Sequence, residues 1–220
     1  MELIEAIKTR KSIRGYNPDA VPKKVLEEIL EVASRAPSSM NTQPWEMWVV
    51  AGKALDELRQ ANIDAVTSGQ RPEMEIHRGG YKDEYRDRQV AIAVQLFQLM
   101  DIGREDKEKR GAWMMRGFRF LDAPAAIFIA INPELGEAAQ FDIGSISQTI
   151  ALAAMEHGLG TCIMGQGISF PSIVHKHTGI PESRQIAICL TIGYPDPNFP
   201  ANRVASEREP VDKTTTFLGF

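Results

Sequence analysis

Arg10, Ser12 and Arg14 are the first residues of the chain whose types and spacing can do chemistry. They stand in Arg10–Tyr16 (RKSIRGY), with Lys11 among them. In an extended stretch, alternation puts Arg10, Ser12 and Arg14 on one face. In a helix, Arg10 and Arg14 are still neighbours at i, i+4. Either way two guanidiniums and a hydroxyl converge, and guanidinium grips a phosphate with paired hydrogen bonds. Taken alone, the same residues would also serve as a solvated basic turn. A second polar set, Pro37-Ser38-Ser39-Met40-Asn41-Thr42-Gln43-Pro44-Trp45, is bracketed by prolines. Its hydroxyls and carboxamides donate and accept, which suits the edge of a heterocycle. A plain helix-to-strand connection needs the same residue types. A third set, Gly165-Gln166-Gly167, directly follows an apolar run at 161–164. Glycines there either let bare N–H groups approach a flat ligand or simply make a turn.

Other chemistry is missing from the sequence. It holds no GxGxxG, no GxxxxGK[ST] and no GxSxG, so the common dinucleotide, P-loop and nucleophile-elbow signatures are excluded. His175 and His177 lie two apart on an expected helix and point in different directions, which makes them poor joint metal ligands. Cys162 and Cys189 fit neither a redox CxxC pair nor a zinc site and read as buried, reduced thiols. An anion grip and a polar loop without an evident nucleophile, base or metal set fit a protein whose cofactor carries the chemistry.

The elements that must position these residues follow from periodicity. Leu3, Ile4 and Ile7 form the stripe of a short helix that delivers the chain to Arg10. Val25, Leu26, Ile29, Leu30 and Ala33 predict a second helix, stopped by Pro37. Glu46–Ala51 reads as a strand and 53–66 as a helix. The polar stretch 67–88, with Gly69, Gly79 and Gly80, reads as an exposed excursion or lid, in which Tyr81 and Tyr85 are candidates for stacking or surface packing. Residues 89–103 form a helix apolar around much of its girth, so burial on more than one side is expected. Trp113–Leu121 mixes aromatics with Arg116 and Arg119 and suits a pocket wall, a subunit contact or core. Ala125–Ile131 is a continuous apolar run fit for a central strand. Asp142 is expected to cap a helix running to His157, closed by Gly158. A short strand at 161–164, a helix at 171–178 and a strand at 185–194 follow. The chain ends in Phe217, Leu218 and Phe220, a tail expected to dock on this chain or on another subunit.

With 220 residues, 43% hydrophobic and 25% charged, the chain can bury one sizeable core, alone or shared between two subunits. A net charge of −4 disfavours a general nucleic-acid surface. No apolar run is long enough to span a bilayer and no secretion signal is visible, so the expected location is the cytoplasm. The alternation of helices and strands gives an α+β or α/β chain, read as a single domain over 1–220 with an excursion at 67–120 and a tail at 196–220.

Together, RKSIRGY, PSSMNTQPW and the GLGT–CIMGQG run followed by a strand closing in IGYPD resemble the nitroreductase family of FMN-dependent oxidoreductases. The resemblance covers nearly the whole chain in order. It implies an α+β sandwich with a central mixed β-sheet flanked by helices, folded as an intertwined homodimer with two FMN sites at the interface and a tail that embraces the other subunit. It implies FMN contacts from Arg10, Lys11, Ser12 and Arg14, with Arg14 reaching the pyrimidine edge. Pro37, Ser38, Ser39 and Asn41 match the loop offered by the partner subunit. Ile163, Met164, Gly165 and Gln166 match the strand end facing the isoalloxazine, with a backbone N–H near Gly165 at the flavin N5. Arg203 matches a late phosphate contact. The activity implied is hydride transfer from NADH or NADPH through flavin N5 to a small aromatic acceptor, a nitroaromatic or a quinone, in a ping-pong cycle with no side-chain acid. Phe118 or Phe120 would stack on the substrate or pack in the core. The alternatives within the fold are a specialised flavin enzyme (reductive dehalogenation or flavin fragmentation) and a non-catalytic FMN-binding protein.

Overall fold

Strand Ala125–Ile131 is buried at every position, and its period of two sorts its side chains into two cores. Ile127, Ile129 and Ile131 face one cluster with Leu26, Ile29, Ile146 and Ile150. Ala126, Phe128 and Ala130 face the other, with Leu55, Leu58, Phe120 and Val174. A strand loaded on both faces needs helices on both sides, and the computed structural model, which describes residues 2–76 and 79–220, has that layering.

In chain order the elements are α1 (Leu3–Thr9), α2 (Lys23–Ala33), β1 (Glu46–Ala51), α3 (Gly52–Thr67), α4 (Asp83–Leu99), α5 (Lys107–Phe118), β2 (Ala125–Ile131), α6 (Ala139–Glu156), β3 (Gly160–Met164), α7 (Pro171–Thr178), β4 (Gln185–Gly193) and α8 (Val211–Thr214). The sheet runs β1-β2-β4-β3 with α2 and α6 on one face and α3 and α7 on the other. All three strand pairings are antiparallel. The parallel component expected of a mixed sheet is, among the described residues, one isolated bridge between Ser12 and Thr161. That bridge lies along the outer edge of β3 and brings the basic stretch to the sheet.

Several expectations need correction. α6 begins at Ala139, so Asp142 is a buried first-turn residue of the helix, not its cap. The helix expected at 89–103 is α4, which starts earlier on the charged residues from Asp83 and is mostly exposed: Leu96 is its buried residue, while Val90 and Val94 are 40% and 48% exposed. The burial inferred from its girth is not supplied by this chain. Of the two readings open for Phe118 and Phe120, the structure bears out core packing: they lie against Phe170 and Phe128. Met40 stands 94% exposed. Residues 70–76 are tethered, not loose: Glu73 N–H donates to Ser169 O, Gln185 Nε2 donates to Glu75 O, and the Glu75 carboxylate accepts from Ile186 N–H beside the buried His175 ring. Residues 77 and 78 of the expected lid lie outside the described residues.

Candidate functional site

The chain leaves α1 in extended backbone at Arg10, which settles the two conformations open to the basic stretch in favour of the strand-like one. Ile13 N–H donates to Thr161 O at 2.9 Å, and the Ile13 side chain seats against Gly160, where an added Cβ would lie 2.3 Å from it. Burying Ile13 points its neighbours Ser12 and Arg14 the other way, and both are half-exposed, as is Arg10. Ser12 hydrogen-bonds the Cys162 side chain, and the charges of Arg14 and Arg10 act on the same thiol. Burial pushes the Cys162 thiol up from its ordinary value, against the pull of Arg14, Ser12 and Arg10. Three of the expected residues therefore gather around one side chain of β3. No ion pair among the described residues engages Arg10, Lys11 or Arg14. Cations gathered without carboxylates suit an anion.

The end of β3 lies next to this group. Cys162 and Met164 turn inward, whereas Ile163 is 41% exposed. Gly165 opens a tight turn at Gln166–Ile168. The Gln166 carboxamide donates to Met114 O at 3.4 Å and lies over Gly117, where a Cβ would sit 1.9 Å from its Oε1. Gly167 serves packing instead of ligand approach, because its Cα faces the Phe120 ring and the Cys189 sulfur.

The polar loop is elsewhere. Pro37, Ser38, Ser39 and Asn41 sit by the first turn of α6, where Ser39 N–H reaches both Asp142 oxygens at 3.3 Å and Ser38 Oγ accepts from Gln43 N–H at 3.0 Å. Met40, Asn41 and Gln43 hold positive φ of 49°, 59° and 47°, a conformation non-glycine residues keep only when tied. No hydrogen bond among the described residues joins this loop to Arg10–Tyr16 or to the β3 end. Arg203 is exposed on the turn Pro200–Arg203.

Residues outside the expected cofactor-binding set hold the basic stretch. Asn202, 6% exposed, accepts from Arg14 N–H at 2.7 Å and Gly15 N–H at 3.1 Å, and donates to Gly15 O and Asp196 O. Arg116 donates to Arg14 O and Leu121 O, pairs with Asp122 at 2.9 Å, and lies over the Phe199 ring. Burial lowers the Arg116 pKa from its usual value while Asp122 opposes the change. Asp122 closes a turn in which Phe120, Leu121 and Asp122 all have positive φ. Partial burial disfavours its carboxylate, but the Arg119 hydrogen bond and the charges of Arg116, Arg119 and Arg59 outweigh that and hold its pKa below the usual value.

Comparison with known proteins bears on this geometry. A 4-nitrobenzoate reductase from Nocardioides sp. (strain LMS-CY) is 32% identical over 99% of this chain and 91% of its own length. The crystal structure of an FMN and NADPH-dependent nitroreductase, NfnB, from Sphingopyxis sp. strain HMH superimposes with a TM-score of 0.94 over 100% of both chains at 28% identity. That of the FMN-dependent nitroreductase NfnB from Mycobacterium smegmatis, in complex with NADPH, gives 0.92 over 98% of this chain and 97% of the other at 26% identity. The family description "Nitroreductase family" matches residues 7–194, a span that holds the basic stretch, the polar loop and the β3 end, and the chain belongs to that family.

Proposed function

We propose that this oxidoreductase binds FMN, takes its electrons from NADPH or NADH, and reduces a small nitroaromatic acceptor. The single observation that carries the reading is the gathering of Arg10, Ser12 and Arg14 beside Cys162 without carboxylate partners among the described residues. Such a donor set fits the phosphate and polar edge of FMN, since guanidinium and hydroxyl donors match a near-dianion and a heterocycle rich in acceptors. The relatives agree: nitroreductases dominate them, and the two superimposed structures are described as FMN-dependent.

When bound, FMN supplies the hydride chemistry between donor and acceptor. The chain supplies binding and electrostatics. Arg10, Lys11 and Ser12 take the phosphate end, with Arg203 as a later contact. Arg14 stands toward the pyrimidine, where a fixed cation favours the negative charge that reduced flavin carries and so raises its reduction potential. Ile163, Met164, Gly165 and Gln166 offer the isoalloxazine an edge with a backbone N–H donor. Pro37, Ser38, Ser39 and Asn41 complete the site from a second copy of the chain, which accounts for their separation from Arg14 here. A homodimer would also cover the exposed apolar residues of α4, α1 and the tail, among them Val90, Val94, Leu3, Ile4, Phe217 and Leu218. The whole chain, 1–220, then acts as one FMN-binding domain with 67–120 on the substrate side. Donor and acceptor would use the same face in turn, a ping-pong cycle. No helix among the described residues is long and apolar enough to cross a membrane.

The test is the visible spectrum of the purified protein under anaerobic conditions, before and after NADPH and then NADH, followed by 4-nitrobenzoate. Flavin bands that bleach with a nicotinamide and return with the nitro compound are the expected result. Persistent bands would reject the reductase reading in favour of FMN storage. Failure to bind added FMN would reject the site.

A further inference from the structure

Arg14 and Gly15 continue the anchoring that begins at Ile13, whose N–H donates to Thr161 O and whose carbonyl accepts from Tyr16 Oη. Every backbone polar group of the pair is engaged: both N–H groups by Asn202 Oδ1, Arg14 O by Arg116, and Gly15 O by Asn202 Nδ2 and Asp196 N–H. Asn202 uses its full capacity of two acceptor and two donor bonds, and its amide orientation is fixed because two donors face one end and two carbonyls the other. Phe199 closes the third side. Its ring lies so near Gly15 that an added Cβ would stand 2.1 Å from it, and Arg116 covers the ring at 4.6 Å. The Arg14 guanidinium is the part left to act outward, steadied by a bond from Nη1 to Ser12 O.

The partners come from two distant segments. Asn202 and Phe199 belong to the stretch after β4; Arg116 belongs to α5 and is anchored by Asp122 at the positive-φ turn. We propose that Asn202 and Arg116 are positioning residues that set the reduction potential and affinity of the bound flavin through Arg14, with Arg116 linking the substrate-side helix to that arginine. The proposal rests on the FMN reading above. Both side chains are engaged by groups of this chain. Each acts by fixing the peptide from which Arg14 projects, and a displacement of about 1 Å is enough to change what a fixed cation does for a nearby charge.

Asn202→Ala and Arg116→Lys both leave the net charge unchanged, so any shift in potential reports geometry. Each is to be measured alone and combined with Arg14→Ala, reading FMN dissociation constant, flavin reduction potential and amide exchange of Arg14 and Gly15 in the FMN-free protein. Each single variant is expected to weaken FMN about tenfold, the scale of one lost buried hydrogen-bond set, to lower the potential in the direction of Arg14→Ala, and to speed exchange at both amides. On the Arg14→Ala background the effects on FMN and potential should nearly vanish, as they must for residues that act through Arg14. Full additivity on that background overturns the proposal, as do wild-type potential and affinity in both single variants. If Asn202→Ala does not fold, Arg116→Lys alone decides. If the wild-type chain binds no FMN, the FMN reading fails. Exchange then judges the clamp by itself: faster exchange at Arg14 and Gly15 in the variants supports it, and unchanged protection overturns it.

Discussion

Arg14 and Asp122 show how differently two charged residues of one small region are used. Arg14 has no carboxylate partner among the described residues, so its charge is available to a ligand; Arg14→Ala should weaken FMN binding and lower the flavin potential, checked by titration and by equilibration with a reference dye. Asp122 is spent on structure, paired with Arg116 and Arg119. Its folded pKa is depressed from 3.8, so its stabilisation is present above the unfolded value and lost as pH falls through the folded one. Asp122→Asn should lower the melting temperature at pH 7, and the gap from wild type should close on acidification below about 4. The shared placement of Arg10, Ser12 and Arg14 was legible in the sequence because alternation along an extended stretch sets them on one face. Asn202 was not, because one carboxamide in a proline-rich stretch looks the same whether it faces water or backbone groups of Arg14 and Gly15 at the other end of the chain.

At the scale of elements, β1, β2 and α7 match their sequence expectations at both ends, since unbroken apolar runs and prolines mark those boundaries. α6 was misplaced by a turn. Asp142 has a cap's composition, but its carboxylate is used across space on Ser39 N–H. α4 was misread more deeply: its apolar run predicted burial on more than one side, and in this chain Leu96 is its buried residue. The contrast gives a paired prediction. Ile150→Ala in α6, fully buried, should cost about 2–5 kcal/mol in denaturant unfolding. Val94→Ala on α4 should leave the stability of an isolated chain within about 0.5 kcal/mol.

For the whole molecule, the chain folds around one sheet and leaves apolar residues of α1, α4 and the tail exposed. In the proposed homodimer, Val94→Glu places a charge among these residues; light scattering should register a shift toward monomer, and FMN should be lost with it because the loop at Ser38–Asn41 is then withdrawn. An unchanged dimer with full flavin would argue against α4 as the contact. Chain-level architecture was legible because β2 and β4 carry two-sided apolar patterns, whereas assembly leaves only an unassigned apolar excess in the sequence.

The two buried cysteines sit at different depths of this arrangement. Cys162 lies on edge strand β3 beneath Ser12, while Cys189 lies on β4 between neighbouring strands and against Gly167. Burial raises the pKa of both thiols, most for Cys189, so neither reacts until it is uncovered. Their alkylation rates in mild denaturant therefore time two separate openings. Cys162 should be labelled when Arg10–Tyr16 lifts from the sheet edge, and Cys189 only when the sheet parts. The ratio of the two rates, followed by mass spectrometry, would measure how much more readily the sheet edge breathes than the core.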